Sequence, residues 1–395
     1  MGYTDHRDRF ANSRIQHNIM ALVGNGFDIQ ALSTVHSKAK TTYTSFYYHL
    51  KSRGFSSDNL LLKTMEDQLE QGCENWSDLE NGIQILLNSG TPADQIEDAL
   101  DDVQVEFSIF LDQVVTPQVL ADLSRLSVEN AAAEHSFSSF LCDIKTEEAH
   151  GKLNFLKPMD IGDILNFRFV NFNYTPLLDN FVYLDKLQFN PEPFRQSDRN
   201  FYFRPNPRGF NHRIGLKGGS MVSYLMTEVV HPHGAQHTPR SLLFGIDEAA
   251  PNSDANANRL AKPYWAQNRV IHEPYFEETH LFIIFGCSLG SSDRWWWSKI
   301  ANCLSVPVAA PSPKTIPKHL NQDIDQNLPP DLIIYWRLSP SKPDMSELDV
   351  LKQFASGAGR EEDQQFMKIL EERAHVVLYT DEQPRAWLNT NFKST

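Results

Sequence analysis

Cysteine is scarce in this chain, and the few it has are scattered. Cys73, Cys142, Cys287 and Cys303 are spread over 395 residues with no CxxC pair. That spacing excludes a structural zinc knuckle and a redox dithiol, and it suits a reducing compartment, so a cytoplasmic protein is expected. Basic side chains are also in deficit, since 36 Lys and Arg against 50 Asp and Glu leave a formal charge of −14. Nucleic acid is therefore not the expected partner, because phosphate binding draws on clustered Lys and Arg that are not found here. Long apolar runs are missing as well. No stretch approaches the ~18–20 residues of a membrane span, and the polar opening MGYTDHRDRF is unlike a signal peptide. Without repeats or low-complexity segments, and with 41% hydrophobic and 22% charged residues, the composition is that of a globular chain with a large core.

Seven short apolar runs read as strands: 18–23 (NIMALV), 166–172 (NFRFVNF), 228–231 (EVVH), 241–246 (SLLFGI), 280–286 (HLFIIFG), 331–336 (DLIIYW) and 374–379 (AHVVLY). The long segments between them favour crossover helices, so an α/β fold is expected, a Rossmann-like, mostly parallel sheet with a large helical insertion. Residues 1–16 are polar and mixed in charge, which suggests a loose leader. The main domain is expected over 17–304, with the insertion at about 33–160 and a Pro-, Asn- and Gly-rich excursion at about 186–220. A second excursion is expected at 250–270 and loops at 305–330 and 338–346, with 305–395 as a C-terminal extension that completes the sheet. Within the insertion, Thr91-Pro92-Ala93-Asp94 supplies an N-cap, a first-turn proline and an early acid. Ile96, Leu100, Val103, Phe107, Phe110 and Val114 then recur at three and four residues, which puts one apolar stripe against a core.

Polar motifs gather where these strands end. Gly24-Asn25-Gly26-Phe27-Asp28 follows the first strand, where glycines allow close backbone approach and a helix N-terminus offers free N–H groups to a phosphate; a plain tight turn is the alternative. It is not GxGxxG, since Ile29 stands at the third glycine. Asn171-Phe172-Asn173-Tyr174-Thr175 ends the second strand, with Asn173 placed to hold a sugar hydroxyl or a water, or with Asn173 or Thr175 as a helix cap. His231-Pro232-His233-Gly234-Ala235-Gln236-His237 offers a histidine suited to acid–base chemistry. Its three histidines also raise a metal site, although no HExxH accompanies them. Phe285 to Asp293 (FGCSLGSSD) joins the most hydrophobic strand to a helix opening with Trp295-Trp296-Trp297. Its glycines, hydroxyls and acid suit a nucleotide, or Ser292 or Asp293 acts as N-cap, while the tryptophans stack on a base or pack in a core. Ser77 and Glu80 have capping-box spacing, and Asp247 ends the run 241–246 as a ligand contact or a terminator.

In this order, GNGFD (24–28), WSDLE (76–80), FNYT (172–175), HPHG (231–234), LFGID (243–247) and FGCSLGSSD (285–293) resemble the AbiH family of phage abortive-infection proteins. The same skeleton is similar, more distantly, to sirtuin-like NAD-consuming domains. That resemblance implies Gly24 and Gly26 on a pyrophosphate loop, Asn173 on the asparagine, His233 as base, and Gly286 and Ser288 on the last loop. Asn25, Phe27-Asp28 and Thr175 depart from the sirtuin pattern, and the zinc-binding cysteine quartet of protein deacylases is missing. The implied activity is an anti-phage effector that hydrolyses the nicotinamide–ribose bond of NAD, with Asn173 and His233 catalytic. Gly24, Asn25, Gly26, Phe27, Asp28, Thr175, Gly286, Ser288 and Asp293 would bind the nucleotide. NAD is expected as substrate or ligand rather than as a prosthetic group, a phage-derived trigger as partner, and self-association is left open. The rival expectations are a nucleotide-sensing module without chemistry and a metal-dependent hydrolase or nuclease using His231, His233 and His237.

Overall fold

The computed structural model describes residues 2–7, 15–73, 78–157, 159–196, 199–206, 220–247, 259–306, 328–339, 343–380, 387–388 and 390. Its strands are β1 (Gln16–Val23), β2 (Ile164–Asn171), β3 (Phe201–Phe203), β4 (Met221–Val230), β5 (Leu281–Phe285), β6 (Asp331–Arg337) and β7 (Ala374–Tyr379). They form one mixed α/β sheet in the order β3-β4-β2-β1-β5-β6-β7. Every pairing is parallel except the edge pair β3–β4. β1 is central and buried along almost its whole length, as a strand covered on both faces must be. Alternation sends Ile19, Ala21 and Val23 to one core and Met20 and Leu22 to the other.

The first core is covered by helices between β1 and β2, among them Asn25–Thr34, Tyr43–Ser52, Leu60–Glu70, Leu79–Asn88 and Ala93–Val114. The stripe Ile96, Leu100, Val103, Phe107, Phe110 and Val114 is buried, as its spacing requires. Phe107 joins the insertion to the strand ends, with its ring 5.2 Å from Tyr174 and 5.1 Å from Phe244. The second core lies under the helices Arg294–Leu304, Glu347–Gly357 and Gln364–Arg373. Trp295, Trp296 and Trp297 are buried there, which answers whether they pack or stack on a base.

Several local expectations change. Residues 241–246 make no strand, and only Ile246 forms an isolated bridge, to Ala261. The Leu243 amide instead bonds the His233 carbonyl, in the loop that follows β4. The excursion 186–220 contributes edge strand β3. Of the expected loops, 248–258, 307–327 and 340–342 lie outside the described residues. The leader makes contacts near its start: the Tyr3 amide bonds Glu278 and its ring packs edge-on to Tyr275. Pro92, not Thr91, stands at the N-cap of Ala93–Val114. Asp78 caps Leu79–Asn88 by accepting from the amides of Glu80 and Asn81, while Ser77 of the expected capping box lies outside the described residues. Among the described residues no helix is long and apolar enough to cross a membrane.

Candidate functional site

From β1 the chain passes to β2 on one side, and β5 lies on the other, so the strand order reverses between β1 and β5. Open parallel sheets bind ligands in the crevice beyond the carboxyl ends at such a point. A cavity of about 310 Å³ lies there. It is lined by Gly24, Asn25, Asp28, Phe172, Asn173, Tyr174, Thr175, His233, Gly286, Cys287, Ser288, Ser292 and Asp293 from the strand ends. Thr41, Tyr43, Asp78, Glu80, Phe107 and Leu111 line it from the insertion. Nine sequence-predicted residues thus meet: Gly24, Asn25, Asp28, Asn173, Thr175, His233, Gly286, Ser288 and Asp293. Gly26 and Phe27 do not line it. Phe27 is a core residue packed edge-on to Phe181 and Phe285.

The glycines serve contact between loops. A Cβ on Gly24 would stand 2.7 Å from the Gly286 carbonyl oxygen, and one on Gly26 would stand 2.7 Å from the Gly286 Cα. Gly286 itself has φ +67°, a conformation glycine adopts without strain. The Gly26 amide donates to the Gly286 carbonyl and the Phe27 amide to the Gly24 carbonyl. Two N–H groups expected to face a phosphate are therefore already engaged. The helix Arg294–Leu304 is similar, because Asp247 accepts the Trp295 amide at its N-terminus. Asp293 occupies the N-cap position without capping, and its side chain turns to Lys262. Asn25 is also engaged, exchanging hydrogen bonds with the hydroxyl and the carbonyl of Thr41.

Asn173 is anchored by its backbone amide to the Asn171 side chain at 3.0 Å and by its side-chain nitrogen to the Gly24 carbonyl at 3.1 Å. The Thr175 hydroxyl donates to Asp28 at 2.6 Å, while the other oxygen of Asp28 is buried without a partner. Burial pushes the Asp28 carboxyl up to about 7 against the opposing Thr175 hydrogen bond. His233 stacks on Phe172, with ring centroids 5.1 Å apart, and its Nε2 lies 3.6 Å from Asp293. Burial first, and then the nearby Lys262 ammonium, push the imidazole down to about 3. A ring so reluctant to take a proton is a weak base near neutrality.

Sequence reading missed a buried charge cluster. Lys262, from the helix Lys262–Trp265, is buried and donates to Glu80 at 2.7 Å and to Asp293 at 3.0 Å. These three residues come from three segments, and no local pattern around Lys262 announces the contact. Burial alone would lower the Lys262 ammonium, but Asp293 and Glu80 outweigh it and hold it above the ordinary lysine value. Asp293 falls below the usual carboxylate range because Lys262 and His233 offset its burial. One ammonium between two carboxyls leaves the second poorly compensated, and burial carries Glu80 up to about 7. That places a titrating carboxyl in the cavity wall near neutral pH.

The other two histidines do not join His233. His231 faces Asp179 and the Asn173 carbonyl, and His237 is exposed. Among the described residues no three His, Cys, Asp or Glu side chains converge to hold a metal ion.

No curated protein and no solved structure matches the chain. The family model described as Bacteriophage abortive infection AbiH matches residues 20–310, which takes in the second half of β1, the insertion, both strand-end loops around Asn173 and His233, and the 285–293 turn. With most of its length matched, the chain belongs to the AbiH family of phage abortive-infection proteins.

Proposed function

We propose that the cavity takes the nicotinamide–ribose end of NAD and hydrolyses its N-glycosidic bond, the loss of NAD halting the infected cell. The observation that carries this reading is the acidic wall, where Glu80 and Asp293 share Lys262 and Asp28 and Asp78 stand nearby. The nicotinamide ring of NAD is cationic, and as the bond breaks that positive charge passes to the ribose. Fixed carboxylates facing it favour the transition state. The parallel strand order β4-β2-β1-β5-β6-β7 supports the reading, since it follows the doubly wound order of dinucleotide-binding sheets. The size fits as well, because about 310 Å³ is at the lower end of small-molecule pockets and suits one end of a dinucleotide.

In this reading Glu80 is the general base, its carboxyl near 7 matched to neutral pH. Water attacks the ribose carbon and gives its proton to Glu80, and nicotinamide leaves as a neutral molecule with the bonding pair. Asn173 orients the water or a ribose hydroxyl through its side-chain oxygen. His233, neutral, accepts or donates a hydrogen bond to the ribose rather than serving as the base. Since two amides of the glycine loop and the Trp295 amide already have partners, the pyrophosphate lies toward the exposed Ser288.

The test is incubation of purified protein with NAD, alone and with phage lysate, with nicotinamide and ADP-ribose followed by mass spectrometry. Glu80→Gln and Asn173→Ala should abolish product in samples whose folded state is verified by circular dichroism below their own melting transitions. Intact NAD under both conditions would reject the reaction, and calorimetric binding without turnover would favour a sensing module.

A further inference from the structure

We propose that His231 and Asp179 form a clamp that positions Asn173, and that the clamp holds only while the His231 ring carries both protons. The functional consequence rests on the role given to Asn173 above; the clamp itself rests on geometry. His231 follows β4 directly, outside the cavity lining. Its Nδ1 lies 3.1 Å from the Asn173 carbonyl oxygen, and its Nε2 lies 3.0 and 3.1 Å from the two oxygens of Asp179. Both ring nitrogens therefore face groups that only accept. A neutral imidazole carries one N–H and leaves one contact as two facing lone pairs, whereas the imidazolium satisfies both.

The charged groups around the ring agree. Asp179 approaches from the helix Leu177–Val182 and Asp28 acts from the helix Asn25–Thr34. Burial pulls the ring's proton affinity down, but Asp179, the Asn173 carbonyl and Asp28 outweigh it, and His231 titrates above its ordinary value. His233, two residues on, is driven the opposite way, so one short loop holds two histidines with opposed proton affinities.

Asn173 is thus fixed at three points: its amide by Asn171, its carbonyl by His231 and its side-chain nitrogen by Gly24. Its side-chain oxygen is what remains to meet a ligand. Releasing the carbonyl would let the Asn173–Thr175 turn shift against Gly24, and misplacement of a positioning group by about 1 Å costs on the order of 10²-fold in rate. His231 is accordingly a positioning residue.

The experiment is long-range ¹H–¹⁵N NMR of the full chain labelled at histidine, with His231 assigned by the signal missing from His231→Gln. Both ring nitrogens should be protonated at pH 7, and Asp179→Asn should move the titration to lower pH. Asp179→Glu should restore part of the shift. The amide signal of Asn173, read from a uniformly ¹⁵N-labelled sample, should follow the same titration. If NAD is turned over, kcat should fall as pH rises through the His231 titration, with KM changed far less, and Asp179→Asn should carry that limb to lower pH. A singly protonated ring at pH 7, a titration unmoved in Asp179→Asn, or an Asn173 signal indifferent to His231 would overturn the clamp, with or without turnover. Absent turnover beside a doubly protonated ring would reject the NAD reaction and leave the clamp standing.

Discussion

Replacing Lys262 by Met keeps most of the aliphatic stem and removes the charge between Glu80 and Asp293. The Lys262 and Glu80 side chains are 3% and 11% exposed and that of Asp293 22%, so water screens the remaining carboxyls poorly. Removing one partner from a buried ion pair costs about 3–5 kcal/mol. The loss should depend on pH in a definite direction. In the parent, Asp293 has a depressed value, so its contribution is present above the unfolded carboxylate value near 4 and fades as pH falls through the folded one. In Lys262→Met both carboxyls rise above their unfolded values, which imposes a penalty at high pH that disappears as pH falls toward about 4. The deficit should therefore be largest near pH 8 and close on acidification. Urea denaturation followed by tryptophan fluorescence at pH 8, 7, 6 and 5 measures it. Glu80→Gln with Lys262→Met should recover part of the loss, with a coupling of about 0.5–3 kcal/mol in the double-mutant cycle. Equal stability at pH 8, or a deficit constant from pH 8 to pH 5, would refute the charge-sharing account.

Gly26→Ala should destabilise the fold by about 1–3 kcal/mol, since the new methyl meets the Gly286 backbone at 2.7 Å rather than a movable side chain; unchanged stability in thermal or urea melts would show that the two loops yield. Phe107→Ala should cost about 3–5 kcal/mol and loosen the insertion over the cavity, read as faster amide hydrogen exchange at Tyr174 and Phe244. NAD turnover should decline as pH drops below about 7, because a base at Glu80 must be unprotonated, and the same limb should persist in His233→Gln if that ring is not the base. A limb that vanishes with His233 instead would return the base to the histidine.

Much of the fold was legible because buried parallel strands are short apolar runs. Six of the seven runs read as strands lie within or overlap observed strands. The seventh, 241–246, has the same composition, and nothing in it says that its Leu243 amide meets the His233 carbonyl of a loop rather than a neighbouring strand. The helix stripe from Ile96 to Val114 was legible for a related reason, since 3.6-residue periodicity is local and survives whatever it packs against. β3 escaped notice because three residues in a polar excursion carry too little pattern.

The candidate site divides along the same line. Its position at strand carboxyl ends, and the residues Asn173, His233 and Asp293, follow from sequence alone, because polar motifs after apolar runs end up in the crevice of a parallel sheet. Which group each side chain meets was decided by tertiary structure. Gly24 and Gly26 lie close to Gly286 from a strand more than 250 residues away, Asp247 caps a helix it does not belong to, and Lys262 bridges two carboxyls from distant segments. Proton affinities follow those meetings, so His233 became a weak base and Glu80 a titrating one only once burial and Lys262 were placed. Periodicity and composition act over neighbouring residues, whereas charge and desolvation act through space, and only the folded chain brings those distances within reach.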